Sequence, residues 1–148
     1  MVDTLATTNI YTGTRPTTLS RAGLVLSALP VLFLTFDAVI KLILIAPVIT
    51  SMGELCYPVA LARIIGALEL GGLLLYVIPR TSIVGAILLT GFLGGAIASH
   101  VRIESPLFTH TLFGTYVGLM IWGGLLLRHS TLRALIVNSA TGRDAQWA

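Results

Sequence analysis

Apolar positions in this chain do not recur once per helical turn, as they would on one face of a soluble helix. They run almost unbroken for about 20 residues at a time, the length an α-helix needs to cross a hydrocarbon core. Four such runs are present. The first extends from about Gly23 to Ala46 and is stopped by Pro47; the second extends from about Val59 to Ile78 and ends at Pro79-Arg80. The third runs from about Ser82 to His100, and after the polar turn Arg102-Ile103-Glu104-Ser105-Pro106 the fourth runs from about Leu107 to Leu127. Between the first two lies a connection, Val48 to Pro58, with Gly53 and Pro58 as breakers.

The pattern predicts an all-α fold, a polytopic transmembrane four-helix bundle over residues 22–128. A Thr-rich leader, residues 1–21, precedes it as a flexible or interfacial segment, and a tail, residues 129–148, follows it as a cytoplasmic or interfacial segment. The leader lacks the basic start and short early apolar run of a cleaved signal, so the first run is expected to remain as a helix. Within the tail, Leu132 to Val137 is too short to span and is expected at the membrane surface.

Composition strengthens this picture. The 148 residues are 55% hydrophobic and 10% charged, and mean hydropathy is +0.94, whereas soluble domains carry roughly 25% charge. The net charge of +3 does not point to nucleic acid, because the basic residues form no stripe and no aromatic platform accompanies them. They cluster instead near the ends of the apolar runs, where they set orientation. Arg15, Arg21, Arg80, Arg128, Arg133 and Arg143 fall on one side, and Arg102 falls on the other with Lys41 and Arg63 in helix ends nearby. That bias predicts a multi-pass protein of the cell membrane with both termini cytoplasmic. A single cysteine, Cys56, excludes an internal disulfide and a CxxC redox pair.

Small residues four apart, at Ala67-Gly71, Gly91-Gly95 and Gly114-Gly118, predict flat faces for tight helix packing and leave room for a homo-oligomer. Pro30 frees a backbone carbonyl in the first span and is expected to bend it. Trp122, Tyr116, Trp147, Tyr76 and Tyr57 are expected as interface aromatics or bundle filler.

Charged groups inside the spans carry the functional content. Asp37 precedes Lys41 by four positions on one helix face, the favourable order for an ion pair. Arg63 and Glu69 stand six apart and so need partners from other helices. Counting rise per residue places Asp37 and Glu69 near mid-membrane, with Lys41, Arg63 and His100 about 10 Å nearer the outer face. Charges in hydrocarbon are tolerated when they face each other or a wet cavity. Asp37, Lys41, Arg63, Glu69 and His100 therefore form a candidate cluster in the outer half of the bundle. Two readings of it stand: helix-bracing pairs (Arg63 with Glu54 or Asp37), or the wall of a ligand cavity. Glu69, among small residues, either donates to a carbonyl or quinone oxygen and passes a proton, or is tied to a backbone, Thr90 or Ser99. His100, His110 and Glu104 lack the spacing of a metal site, and no metal is predicted.

The run from Arg63 to His100 resembles the DoxX-like family of small four-helix membrane proteins. Gly66, Glu69, Leu70 and Gly71 or Gly72 match its Gly-x-x-Glu-Leu-x-Gly core, followed by Pro79-Arg80, Gly85-Ala86 and a small-residue stretch ending in His100. The Asp37-Lys41 helix is similar to the family's first helix. The resemblance covers about Arg21 to Leu127. It implies membrane subunits of sulfur or thiol oxidoreductase systems, including thiosulfate oxidation coupled to quinone, or companions of amine-oxidation and stress-response proteins. It also implies that Glu69 and His100 are functional.

The leading expectation is that the bilayer-embedded bundle binds a quinone or similar lipophilic small molecule in an outer-half cavity. In that reading the chain belongs to an oxidoreductase system with a soluble or membrane partner. Glu69, Lys41, Arg63 and His100 would hold the ligand, and Glu69, Asp37 and His100 would carry any proton transfer. No haem, flavin or iron–sulfur ligation pattern is visible, so electrons would come from a partner. The alternatives are a stand-alone isomerase or cyclase on a lipophilic substrate, and a non-catalytic scaffold subunit.

Overall fold

The computed structural model of the protein describes the backbone of residues 18–141, and the side chains of residues 21–135 apart from His110. Arg15, Arg143, Trp147 and the rest of the leader and tail end lie outside those residues. The chain forms α1 (Thr18–Ile43), α2 (Ala46–Glu54), α3 (Ala60–Val77), α4 (Ser82–Arg102), a π-helical turn (Leu107–Thr111), α5 (Phe113–Arg128) and α6 (Ser130–Thr141). Four spans result: Arg21–Ile43, Ala60–Val77, Ser82–Arg102 and Leu107–Arg128, the last made of the π-helical turn and α5.

α1 packs on α3 and α5, and α4 packs on α3 and α5, so the four long helices close into an antiparallel ring. Leu34, Leu73, Tyr76, Leu89, Ile121 and Leu125 fill its core. Outward, Leu24, Leu32, Phe36, Leu68, Ile87 and Leu119 are all exposed. A water-facing surface would not carry so continuous an apolar coat, whereas lipid is a suitable solvent for it, and helices satisfy their own backbone groups there. The protein is a multi-pass membrane bundle.

Two glycines allow the helices to approach closely. A Cβ on Gly66 would lie 2.9 Å from the Ala38 carbonyl and 3.0 Å from the Lys41 Cβ, and one on Gly85 would overlap the Tyr76 backbone. Larger residues at either point would part α1 from α3, or α3 from α4. Tyr76 is core rather than interface. Its hydroxyl donates to the Ile121 carbonyl at 2.9 Å and meets the Ser27 hydroxyl at 3.0 Å, joining three helices. Trp122 likewise ties α5 to α4, its indole donating to Thr90 Oγ1 at 2.9 Å.

Several expectations are corrected. The first span ends at Ile43, not Ala46, because Leu44 turns into the left-handed region at φ 56°. The connection contains the nine-residue α2, which runs through Gly53, and Pro47 starts this helix instead of stopping the previous one. Proline suits a first helical turn, whose N–H groups lack partners in any case. The small-residue faces divide: a Cβ built on Gly114 would lie 3.0 Å from the Ile97 side chain, but nothing lies within 4 Å of one built on Gly71, Gly91 or Gly95. The tail forms α6, with Leu132 packed against the core.

Candidate functional site

Asp37 and Lys41 occupy successive turns on one face of α1, near the end of the bundle that α2 covers. Gly66 brings α3 against Lys41, and Glu69, three residues on, shares the Gly66 face of α3. The close approach therefore delivers the Glu69 carboxyl to the lysine. Lys41 Nζ lies 2.5 Å from Asp37 Oδ2 and 2.9 Å from Glu69 Oε2. The Glu69 side chain is wholly buried, while those of Lys41 and Asp37 are 15% and 29% exposed. Glu69 Oε1 is buried with no hydrogen-bond donor on it. On α4, the Phe92 ring faces the ammonium at 5.3 Å, a distance suited to cation–π attraction.

A cavity of about 730 Å³ opens beside this triad. Asp37 and Lys41 form its polar patch, and His100, bonded through Nδ1 to Ser105 Oγ at 3.0 Å, adds a second. Apolar walls come from Phe33, Phe113 and Ile97; the two phenylalanine rings meet edge to face at 5.0 Å. Met52 and Leu55 close the side nearest α2. That cover is tied to the end of α4. Tyr57 hydrogen-bonds Ser99 at 3.0 Å, Arg102 donates to the Leu55 carbonyl, and its guanidinium lies 5.1 Å from the Tyr57 ring.

Of the residues singled out in the sequence, Asp37, Lys41 and Glu69 come into contact, and His100 shares their cavity. Glu69 does not line the cavity but stands behind Lys41. The expected height difference between Lys41 and Glu69 is bridged by the long lysine chain. Arg63 is exposed, pairs with neither Glu54 nor Asp37, and is absent from the cavity wall. Six residues before Glu69, it falls about 120° around α3, and near the helix start its chain can reach the headgroup region. The expected Glu69 partners, Thr90 and Ser99, are engaged by Trp122 and Tyr57. Sequence reasoning missed Phe92, Ser105, Arg102 and the site role of Tyr57. The only available signal was an aromatic–arginine pairing between two loops.

Chemically, the triad sets two acids against one base in a largely dry setting. An ammonium, an imidazole and an apolar chamber together can receive a molecule with hydrogen-bonding oxygens on an apolar body. No curated protein and no solved structure matches the chain. The sequence model of the DoxX-like family does match it, over residues 25–124, which takes in the second and third spans, most of the first and fourth, and the whole triad. The chain belongs to the DoxX-like family.

Proposed function

We propose that the cavity binds a quinone or a similar lipophilic molecule with polar oxygens, as part of an oxidoreductase system whose electrons come from a partner protein. The observation that carries this reading is the approximately 730 Å³ chamber, apolar along most of its wall, that ends on the Lys41 ammonium. Ligand pockets commonly combine such a volume with a few convergent polar groups. Lys41 and His100 would meet the ligand oxygens, and the aromatic walls would hold its ring. A bound quinone supplies the capacity to take up or release electrons with protons. The chain's own part is to hold the ring, exclude bulk water, and keep a proton available among Asp37, Glu69 and Lys41. Glu69, behind Lys41, positions the ammonium and supplies the extra acid.

The charge distribution supports an orientation with α2 outward. Arg21, Arg80, Arg128 and Arg133 all belong to the opposite end of the bundle, the end expected in the cytoplasm of a cell membrane.

The test is to purify the protein gently into lipid nanodiscs, extract with organic solvent and identify bound molecules by mass spectrometry. Wild type should carry a quinone or related molecule above the level in empty nanodiscs. Lys41→Met and Glu69→Gln should lose it at equal folded protein. A ligand-free wild type, or variants that retain the ligand fully, would overturn the reading.

A further inference from the structure

Three glycines of α4, Gly91, Gly94 and Gly95, are exposed, and a Cβ built on any of them would meet nothing within 4 Å. Glycine in a membrane helix ordinarily serves close packing, and here no described residue packs on it. Gly91 and Gly95 also line the cavity, whereas Gly94 does not. They share one face of α4, one turn apart, with Gly91 near the middle of the span Ser82–Arg102. At that depth the surroundings of the bundle are hydrocarbon, and these two residues are both exposed and part of the cavity wall. The same cavity runs inward to Lys41.

We infer that Gly91 and Gly95 form a lateral portal, through which the ligand enters from the lipid and along which its apolar tail lies. This inference rests on the ligand reading above and makes it narrower: the ligand is a tailed, lipid-dissolved molecule, with its polar ring at Lys41 and its chain passing out over α4. The four-residue spacing also suits a helix of a second copy. A second copy seated there would seal the chamber on that side, and the continuity of the chamber with the glycine face favours the tail.

The experiment uses full-length protein in nanodiscs and two probes sharing one ring: 2,3-dimethoxy-5-methyl-1,4-benzoquinone, and the same ring with a decyl chain. Bound probe is measured by rapid desalting and extraction against empty nanodiscs. Gly91→Leu and Gly95→Leu should weaken the decyl probe by about tenfold or more, the scale on which a pocket discriminates added methylenes. The bare ring should change less than about twofold, and Gly94→Leu should leave both probes within about twofold. Gly95→Ala, the mildest change, should give an intermediate loss for the decyl probe alone.

Equal loss of both probes, no loss of either, or the same effect from Gly94→Leu would overturn the portal. So would a Gly95→Leu variant that splits a dimer in native mass spectrometry while tail selectivity is unchanged. Lys41→Met separates the two levels of argument, since it should weaken both probes alike. If wild type binds neither probe, the ligand reading falls and the portal with it; if wild type binds both and the glycine variants are silent, the portal alone falls.

Discussion

Replacing Lys41 by Met keeps the length of the side chain and removes its charge, and it should be among the most destabilising substitutions in the protein. The lysine is the one ion-pair partner given to Glu69 among the described residues, and Glu69 is wholly buried. Removing one member of a buried pair costs about 3–5 kcal/mol, because the remaining charge is left without compensation. Asp37 adds little to that figure: its side chain is 29% exposed and can be rehydrated, as surface pairs are, for about 0–1 kcal/mol. The dominant loss therefore belongs to the Lys41–Glu69 pair. Glu69→Leu alone strands the lysine less severely, since Asp37 remains 2.5 Å from it. The double variant Lys41→Met, Glu69→Leu replaces the pair with packed apolar groups and should recover much of the loss. The assay is a double-mutant cycle of unfolding free energies in mixed micelles of dodecyl maltoside and SDS. A coupling energy of about 2 kcal/mol or more is expected. Additive single effects, or a Lys41→Met variant as stable as wild type, would refute the claim that these two side chains meet in the bundle.

Gly66→Leu should part α1 from α3, since its Cβ would already press the Ala38 carbonyl at 2.9 Å; overpacking of this kind should cost about 1–3 kcal/mol in the same unfolding assay. Tyr76→Phe removes the bond to the Ile121 carbonyl and leaves buried Ser27 with one partner fewer, for about 1–2 kcal/mol in the same unfolding assay. Trp122→Phe loses only a bond to Thr90, an exposed residue, and should change stability by less than about 1 kcal/mol. Cys56, the single cysteine, is exposed on the turn after α2. If α2 faces outward, an impermeant maleimide should label it in intact cells; labelling only after lysis would reverse the orientation.

The four spans were legible because bilayer thickness sets their length, and composition alone reveals runs such as Ser82 to His100. The Asp37–Lys41 pair was legible from helical spacing. Its extension to Glu69 was not, because counting rise per residue locates Cα atoms, while a lysine chain reaches well beyond its own turn. α2 was hidden by an ambiguity in Pro47: proline ends one helix and begins another with equal ease, and the left-handed turn at Leu44 that decides between them leaves no mark in sequence. The glycine faces illustrate a similar limit. Spacing puts Gly91 and Gly95 on one face, but whether a helix or open space lies against that face depends on the third dimension.

The make-up of the triad itself weighs against a purely bracing role. One acid satisfies one lysine, and Asp37, on the same helix and partly exposed, does this at little desolvation cost. Adding Glu69 in full burial contributes a second carboxyl whose removal from water costs several kcal/mol, only partly offset by a cation already shared. Its Oε1 gains no donor in return. A brace built for stability would do better with packed apolar residues in place of the whole Lys41–Glu69 pair, as replacements of buried ion pairs by apolar side chains indicate. The surplus acid has physical value where a proton must be held beside the chamber that Lys41 faces, and that is the chemistry an apolar ligand with polar oxygens would require.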